Sequence, residues 1–141
     1  MKTVRTLAWA YAALFVGVVL VGYVPPFHDQ QGRLFGLFSL QIYDDGLHLV
    51  SGLWAAIAAW TSYNASRTYF RIFGPLYFFD GILGLFTGMG YLDLGIFLHG
   101  PTELPLQTRI LANLPHLVIG GLAIWAGYVL ARRPADENPA G

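Results

Sequence analysis

Four long apolar windows constrain the fold of this chain more than any other feature of its sequence. A membrane-spanning helix needs roughly 20 consecutive, mostly apolar residues. Such windows occur at about residues 6–27, 46–66, 70–92 and 110–131. Backbone groups in lipid must be hydrogen-bonded within the segment, and none of the windows shows the alternation of a strand. The sequence therefore predicts four transmembrane α-helices.

The composition supports a membrane protein and excludes several kinds of chemistry. The chain is 55% hydrophobic and 11% charged, whereas a soluble domain carries about 25% charged residues. It has no cysteine, which excludes disulfides, thiolate catalysis, iron–sulfur clusters and cysteine-based zinc sites. Its formal net charge is zero, so nucleic-acid binding has no electrostatic basis. We predict an all-α, integral membrane four-helix bundle, formed by a single domain over residues 1–141 with a short polar tail at 132–141.

The positions of lysine and arginine predict the topology. The opening "MKTVR" is typical of a signal peptide, but the apolar run ends without a small-x-small cleavage site, so a retained first helix is the better interpretation. Only Arg33 and Arg109 then face outward, and positive residues concentrate on the cytoplasmic side. These inner residues are Lys2, Arg5, Arg67, Arg71, Arg132 and Arg133. We expect a multi-pass protein of the bacterial inner membrane with both termini in the cytoplasm.

The two outer connections contain apolar segments that are too short to span a bilayer. They read "RLFGLFSLQIY" at 33–43 and "LDLGIFLHG" at 92–100. Each is expected to lie in the membrane interface as a partial helix, or to fold as a loop over the mouth of the bundle.

One short phrase occurs twice, as "DGLHLVSG" at Asp45–Gly52 and as "NLPHLVIG" at Asn113–Gly120. When His48 is aligned with His116, the preceding windows also match weakly. This indicates two repeated helical hairpins, related by a pseudo-two-fold axis along the membrane normal. Such a repeat predicts that both histidines lie at the same depth, near the outer surface.

The repeated phrase has two interpretations. In the first it starts a helix: Asp45 and Asn113 are N-caps, the histidine reaches back to the cap, and Pro115 lies in the first turn. In the second, His48 and His116 form a ligand site. A histidine near a helix N-terminus is favoured in its neutral form, which is the form that binds a metal, a haem iron or a chlorophyll magnesium. Asp45 or Asn113 would then support the ligands.

Asp80 lies near the middle of the third window, where a charge costs about 2.5–3.5 kcal/mol on insertion scales. One interpretation is a structural clasp between helices. Another is proton or ion handling in a small transporter or sensor. The partners considered for the clasp are Ser51, Trp54, Tyr77 and Trp125.

Small residues recur at four-residue spacing, as in Gly84 and Gly88, and predict close helix packing. Signatures of catalysis, such as a nucleophile elbow or a glycine-rich phosphate loop, are missing. The sequence therefore predicts a non-catalytic accessory or scaffolding subunit of a larger respiratory or photosynthetic membrane complex, with other membrane subunits as partners. The alternatives are a haem-, chlorophyll- or metal-binding module using His48 and His116, and a transporter or sensor using Asp80.

The phrases "HLVSG" and "HLVIG", each following Asp or Asn, carry a resemblance to a known family. The chain resembles a bacterial family of small four-helix membrane proteins classed as a domain of unknown function, whose members show a similar N-x-x-H-L-x-x-G phrase before the last span. The resemblance extends over about Thr6 to Leu130. It implies the four-helix membrane fold and no particular activity.

Overall fold

The computed structural model describes residues 2–33 and 42–132, and this part of the chain is all-α. Four main helices are joined by shorter ones. A 3₁₀ helix (Pro25–Phe27) follows the first main helix, and the last main helix continues into a π-helical turn, Ala126–Leu130. The α-helices are α1 (Lys2–Gly22), α2 (Ile42–Thr61), α3 (Tyr63–Thr87), α4 (Gly95–His99) and α5 (Leu106–Trp125).

The main helices pack as two hairpins, α1 against α2 and α3 against α5, and α3 also contacts α1 and α2. This arrangement confirms the prediction of an all-α chain with four main helices. Among the described helices, three are long and apolar enough to cross a membrane: α1, α3, and α5 with its π-helical turn. Helix α2 is not among these three, and its first turn contains Asp44 and Asp45. Its crossing of the membrane stays a prediction, as does the internal repeat.

The helices begin and end earlier than the apolar windows. Helix α2 begins at Ile42 instead of 46, and α5 begins at Leu106 instead of 110, because a polar first turn is helical without being apolar. Helix α3 begins at Tyr63 and ends at Thr87, where the window covered 70–92. The left-handed backbone of Gly88, with φ 78°, ends it.

A single residue, Ser62, links α2 to α3. Its backbone is extended and its hydroxyl accepts a hydrogen bond from Ala65 N at 3.0 Å, so it is the N-cap of α3. At the same end of the bundle, Arg5 Nε donates to Ala59 O at 2.9 Å. An arginine of α1 thus binds the last carbonyls of α2, which otherwise have no helical partner.

Glycines let α3 and α5 approach closely. An added Cβ at Gly120 would lie 2.5 Å from Phe78 N, and one at Gly74 would lie 2.7 Å from Ile124 N. Small residues thus bring two backbones into contact, as the sequence predicted. Of the pair Gly84 and Gly88, only Gly84 lies in this interface, against Asn113, because Gly88 ends the helix.

The core is an aromatic column on α3. Tyr69, Phe73 and Tyr77 lie one turn apart and stack in sequence, with ring centroids 5.0 and 4.9 Å apart. Tyr11 and Phe15 of α1 pack edge-on against the column. The column leads from the end of the bundle near Ser62 toward the end that carries the histidines.

The predicted interfacial segments are only partly described. Helix α4 lies within the second of them. Most of the first falls in 34–41, and most of the polar tail falls in 133–141; both stretches lie outside the described residues.

A candidate polar site around Tyr77

Tyr77 of α3 brings His48 and His116 together. His48 Nε2 lies 3.3 Å from the Tyr77 hydroxyl, and the ring of His116 meets the Tyr77 ring edge-on with centroids 4.5 Å apart. The two histidines therefore lie in the same half of the bundle, on different hairpins. This placement agrees with the expectation that the two histidines are level with each other.

Asp80, one turn further along α3, holds the link between α3 and α4. Its Oδ1 accepts hydrogen bonds from Tyr91 N at 2.7 Å and from Leu92 N at 2.8 Å. Its side chain is 2% exposed, so both bonds are shielded from water. Gly90 packs directly against the carboxylate, where a Cβ would lie 2.6 Å from Oδ1.

The other oxygen of Asp80 faces His116. Oδ2 lies 3.2 Å from His116 Nδ1, but the Nδ1 atom is buried and makes no well-directed hydrogen bond among the described residues. The contact is therefore better described as a close charge–dipole approach than as an aligned hydrogen bond.

The prediction of hydrogen-bond partners for Asp80 was wrong. Ser51, Trp54, Tyr77 and Trp125 make no hydrogen bond to its carboxylate, which instead binds two backbone amides and approaches His116. Backbone donors in a connecting segment carry no signature of residue type, so the sequence could not indicate them.

His48 has a carboxylate neighbour that the sequence analysis missed. Asp44 Oδ1 lies 3.8 Å from His48 Nδ1, and Phe15 stacks on the imidazole with centroids 5.8 Å apart. Asp44 precedes His48 by four residues on one helix, and this spacing was the available signal. Asp45 points elsewhere: its Oδ2 accepts a hydrogen bond from Tyr23 at 3.3 Å.

The N-cap interpretation of the repeated phrase is wrong for both hairpins. Asp45 lies inside α2, which begins at Ile42, and Asn113 lies about two turns inside α5. Asn113 Nδ2 donates to Arg109 O at 2.8 Å, a bond back to the preceding turn. Pro115 is likewise inside α5 and not in its first turn.

In the loop after α1, the carboxylate of Asp29 accepts hydrogen bonds from the residues that follow it. Asp29 Oδ1 accepts from Gln31 N at 2.9 Å and from Arg33 N at 2.8 Å, and its Oδ2 accepts from Arg33 Nε at 2.9 Å. The backbone hydrogen bond from Arg33 is the largest cause that lowers the pKa of Asp29 below its usual value. This loop is structurally separate from the Tyr77 site.

The Tyr77 site offers two imidazoles, a phenol and two carboxylates, but not as one ligand set. In the described part of the chain, no group of three or more His, Cys, Asp or Glu side chains is placed to hold a metal ion. The Tyr77 side chain contacts both imidazoles. The arrangement is suited to hydrogen bonding between helices.

The apolar helices and the enclosed polar cluster define a helical membrane protein with several candidate spans. The chain belongs to the family described as a domain of unknown function (DUF4383), whose model matches residues 5–95. This confirms the resemblance seen in the sequence. Asp45, His48 and Asp80 fall within the matched residues, and Asn113 and His116 lie beyond them. Comparisons with curated proteins and with solved structures found no match.

Proposed function

We propose that this chain is a non-catalytic accessory or scaffolding subunit of a larger membrane complex. In this proposal it crosses the bacterial cytoplasmic membrane four times, with both termini in the cytoplasm. The observation that carries it is the environment of Asp80. This buried carboxylate, the best candidate for membrane chemistry, binds two backbone amides that hold a connecting segment.

Other polar side chains support a structural role in the same way. Arg109 Nη1 donates to Phe86 O at 3.2 Å near the end of α3. Pro75 lacks an N–H and so leaves the Arg71 carbonyl free within α3. That carbonyl accepts from the Tyr128 hydroxyl at 3.2 Å. These side chains bind helix carbonyls, so they contribute to packing between helices.

The outer surface also supports docking among membrane helices. Helix α2 exposes a row of large apolar side chains, and such a surface suits lipid or a neighbouring helix. These residues are Leu49, Val50, Leu53, Ile57 and Trp60.

The experiment is purification of the tagged chain from its native membrane in a mild detergent, followed by native mass spectrometry. We expect an assembly of fixed stoichiometry that includes other membrane subunits. Three matched variants place a tryptophan on exposed apolar positions of different helices: Leu20→Trp, Val50→Trp and Leu122→Trp. The variant whose tryptophan lies in the interface with the partner subunit should no longer bind that subunit. The thermal stability of this variant should stay unchanged. A chain that runs alone and is indifferent to all three variants would refute the proposal.

A second candidate function is a haem-, chlorophyll- or metal-binding module, and the convergence of His48 and His116 on Tyr77 favours it. An absorbance spectrum and elemental analysis of the purified chain test this directly. A Soret or chlorophyll band that is lost in both His48→Gln and His116→Gln would support it, and a colourless, metal-free protein would exclude it.

A role for Asp80 in a transporter or sensor is the weaker candidate. A carboxylate that moves protons or ions must exchange partners, whereas Oδ1 of Asp80 already binds two amides in a buried position. The test is proton uptake in proteoliposomes. Uptake that is abolished by Asp80→Asn, while the variant keeps its fold, would make the transporter the stronger candidate function.

A further inference from the structure

Two adjoining grooves lie at the end of the bundle opposite the histidines. The first has a volume of about 370 Å³ and is lined by four residues of α3: Asn64, Arg67, Thr68 and Arg71. These positions follow the spacing i, i+3, i+4, i+7, so they form one stripe along the helix. Every side chain in the stripe carries a hydrogen-bond donor, and two carry a positive charge.

The second groove is largely apolar and shares two residues with the first. It has a volume of about 330 Å³ and lies between α2 and α3, with Asn64 and Thr68 on the shared border. Trp54, Ile57 and Ala58 line it from α2, and Ala65 lines it from α3. A cationic groove therefore continues directly into an apolar one.

The charges near the cationic groove are not balanced within the described chain. Arg67 Nε is buried and has no hydrogen-bond partner among the described residues. Arg71 Nε donates to Gly127 O at 2.9 Å, and its guanidinium lies over the Tyr128 ring, 5.2 Å from the centroid. Neither arginine contacts a carboxylate within residues 2–33 and 42–132.

Acidic residues are absent from this whole end of the described structure. The six described carboxylate side chains all lie at the histidine end or in its connections, and the remaining two, Asp136 and Glu137, lie outside the described residues. The six are Asp29, Asp44, Asp45, Asp80, Asp93 and Glu103. An anion that pairs with Arg67 and Arg71 must therefore come from outside the described chain.

In the proposed topology the stripe lies near the cytoplasmic end of α3, within reach of the headgroup region of a bilayer. At about 1.5 Å per residue, Arg67 lies roughly 6 Å and Arg71 roughly 12 Å along the helix from its first residue, Tyr63. Arginine side chains at such depths extend toward the interface. The guanidinium groups can then meet a phosphate at the membrane surface, where anionic lipids are attracted by basic residues.

We propose that the paired grooves bind one anionic phospholipid, with its phosphate between Arg67 and Arg71 and one acyl chain in the apolar groove along Trp54 and Ile57. A phospholipid headgroup and free phosphate both present a phosphate oxyanion, which a guanidinium group matches in geometry and charge. The adjoining apolar groove favours a lipid over free phosphate, because inorganic phosphate would leave that groove without a matching group.

The test is native mass spectrometry of the full chain, delipidated in detergent and titrated with phosphatidylglycerol or phosphatidylcholine. We expect one tightly retained phosphatidylglycerol, with phosphatidylcholine binding more weakly. Arg67→Gln and Arg71→Gln should each weaken retention about fivefold, the fold-change for about 1 kcal/mol per basic residue near a charged surface. Arg67→Lys should recover part of the loss, and the matched control Lys2→Gln, a cation at the same end but outside the groove, should have no effect.

Competition with inorganic phosphate distinguishes a lipid headgroup from free phosphate as the anion that the groove binds. Excess phosphate that fails to displace phosphatidylglycerol supports the lipid site, whereas full displacement at millimolar phosphate would overturn it in favour of a simple anion site. Ala65→Phe tests the apolar groove independently, since it fills the groove without removing charge, and it should also reduce lipid retention. Equal binding of the two lipids, or unchanged retention in Arg67→Gln and Arg71→Gln with intact helical content, would refute the proposal.

Discussion

Asp80 Oδ1 and Tyr91 N are joined by a hydrogen bond of 2.7 Å that ties the last turns of α3 to the segment leading into α4. The same oxygen also accepts from Leu92 N. One buried carboxylate thus fixes the direction in which the chain leaves the third main helix. The return path toward α5 depends on that exit, so Asp80 contributes to the packing of the whole α3–α5 hairpin.

Replacing Asp80 with alanine should destabilise the protein by several kcal/mol, because two buried amides lose their acceptor and each unpaired group costs about 1–3 kcal/mol. Asp80→Asn should cost less, since the amide oxygen can still accept from the backbone. Thermal unfolding in detergent measures both. Asp93→Asn, which alters the acceptor of a single bond to Gly95 N, is the control. Equal stability of Asp80→Ala and the unmodified chain would contradict the structural role.

Two neighbouring glycines of α5 should respond very differently to alanine. Gly120→Ala places a Cβ 2.5 Å from Phe78 N, whereas the nearest atoms to a Cβ at Gly121 are 3.9 Å away. Backbone cannot yield as a side chain can, so Gly120→Ala should cost about 1–3 kcal/mol or more, and Gly121→Ala should be close to neutral. Unfolding curves of the two variants under identical conditions provide the comparison. Similar losses in both would mean that α3 and α5 are not in close contact at Gly120.

Removing the hydroxyl of Tyr69 should stabilise the chain. Tyr69 is fully buried and its hydroxyl has no hydrogen-bond partner among the described residues, so Tyr69→Phe removes an unsatisfied polar group while keeping the ring stack. A gain of up to about 1 kcal/mol is expected from the cost of such groups. Tyr11→Phe is the matched control and should destabilise the chain, because the Tyr11 hydroxyl donates a hydrogen bond to Ile119 O at 2.7 Å. A loss of stability in Tyr69→Phe would reveal a partner outside the described residues.

The loop held by Asp29 should open in acid. Its lowered pKa means that the ionised carboxylate is stabilised in the folded loop. That stabilisation is fully present above the unfolded pKa, near 3.8, and is lost as the pH falls through the lower folded pKa. The protection of the Gln31 and Arg33 amides, measured by mass spectrometry as their exchange rate relative to the intrinsic rate at each pH, should be lost in that acidic range. Asp29→Asn should show weaker protection at all pH values, and an unchanged pH profile in that variant would contradict the assignment.

The sequence predicted those features that depend on hydropathy and helix direction. In the predicted topology the second and fourth main helices run in the same direction and each has a histidine near its start. This was sufficient to place His48 and His116 in the same half of the bundle. The match of the family model to residues 5–95 agrees with the resemblance inferred from the repeated phrase.

The failures share a physical cause. Asn113 has the residue type of an N-cap, but in the interior of α5 its amide binds the Arg109 carbonyl one turn earlier, and residue type alone does not separate these two uses. The donors to Asp80 are backbone amides, which every residue except proline possesses. The link between Asp44 and His48 was visible only as a four-residue spacing, which carries less weight than a repeated phrase.

The single extended residue between α2 and α3 has a consequence for how such chains can vary. Because Ser62 is the whole connection between α2 and α3, an inserted residue there would shift the two hairpins relative to each other or unwind a helix end. Differences in length among related chains should instead accumulate in the opposite connections.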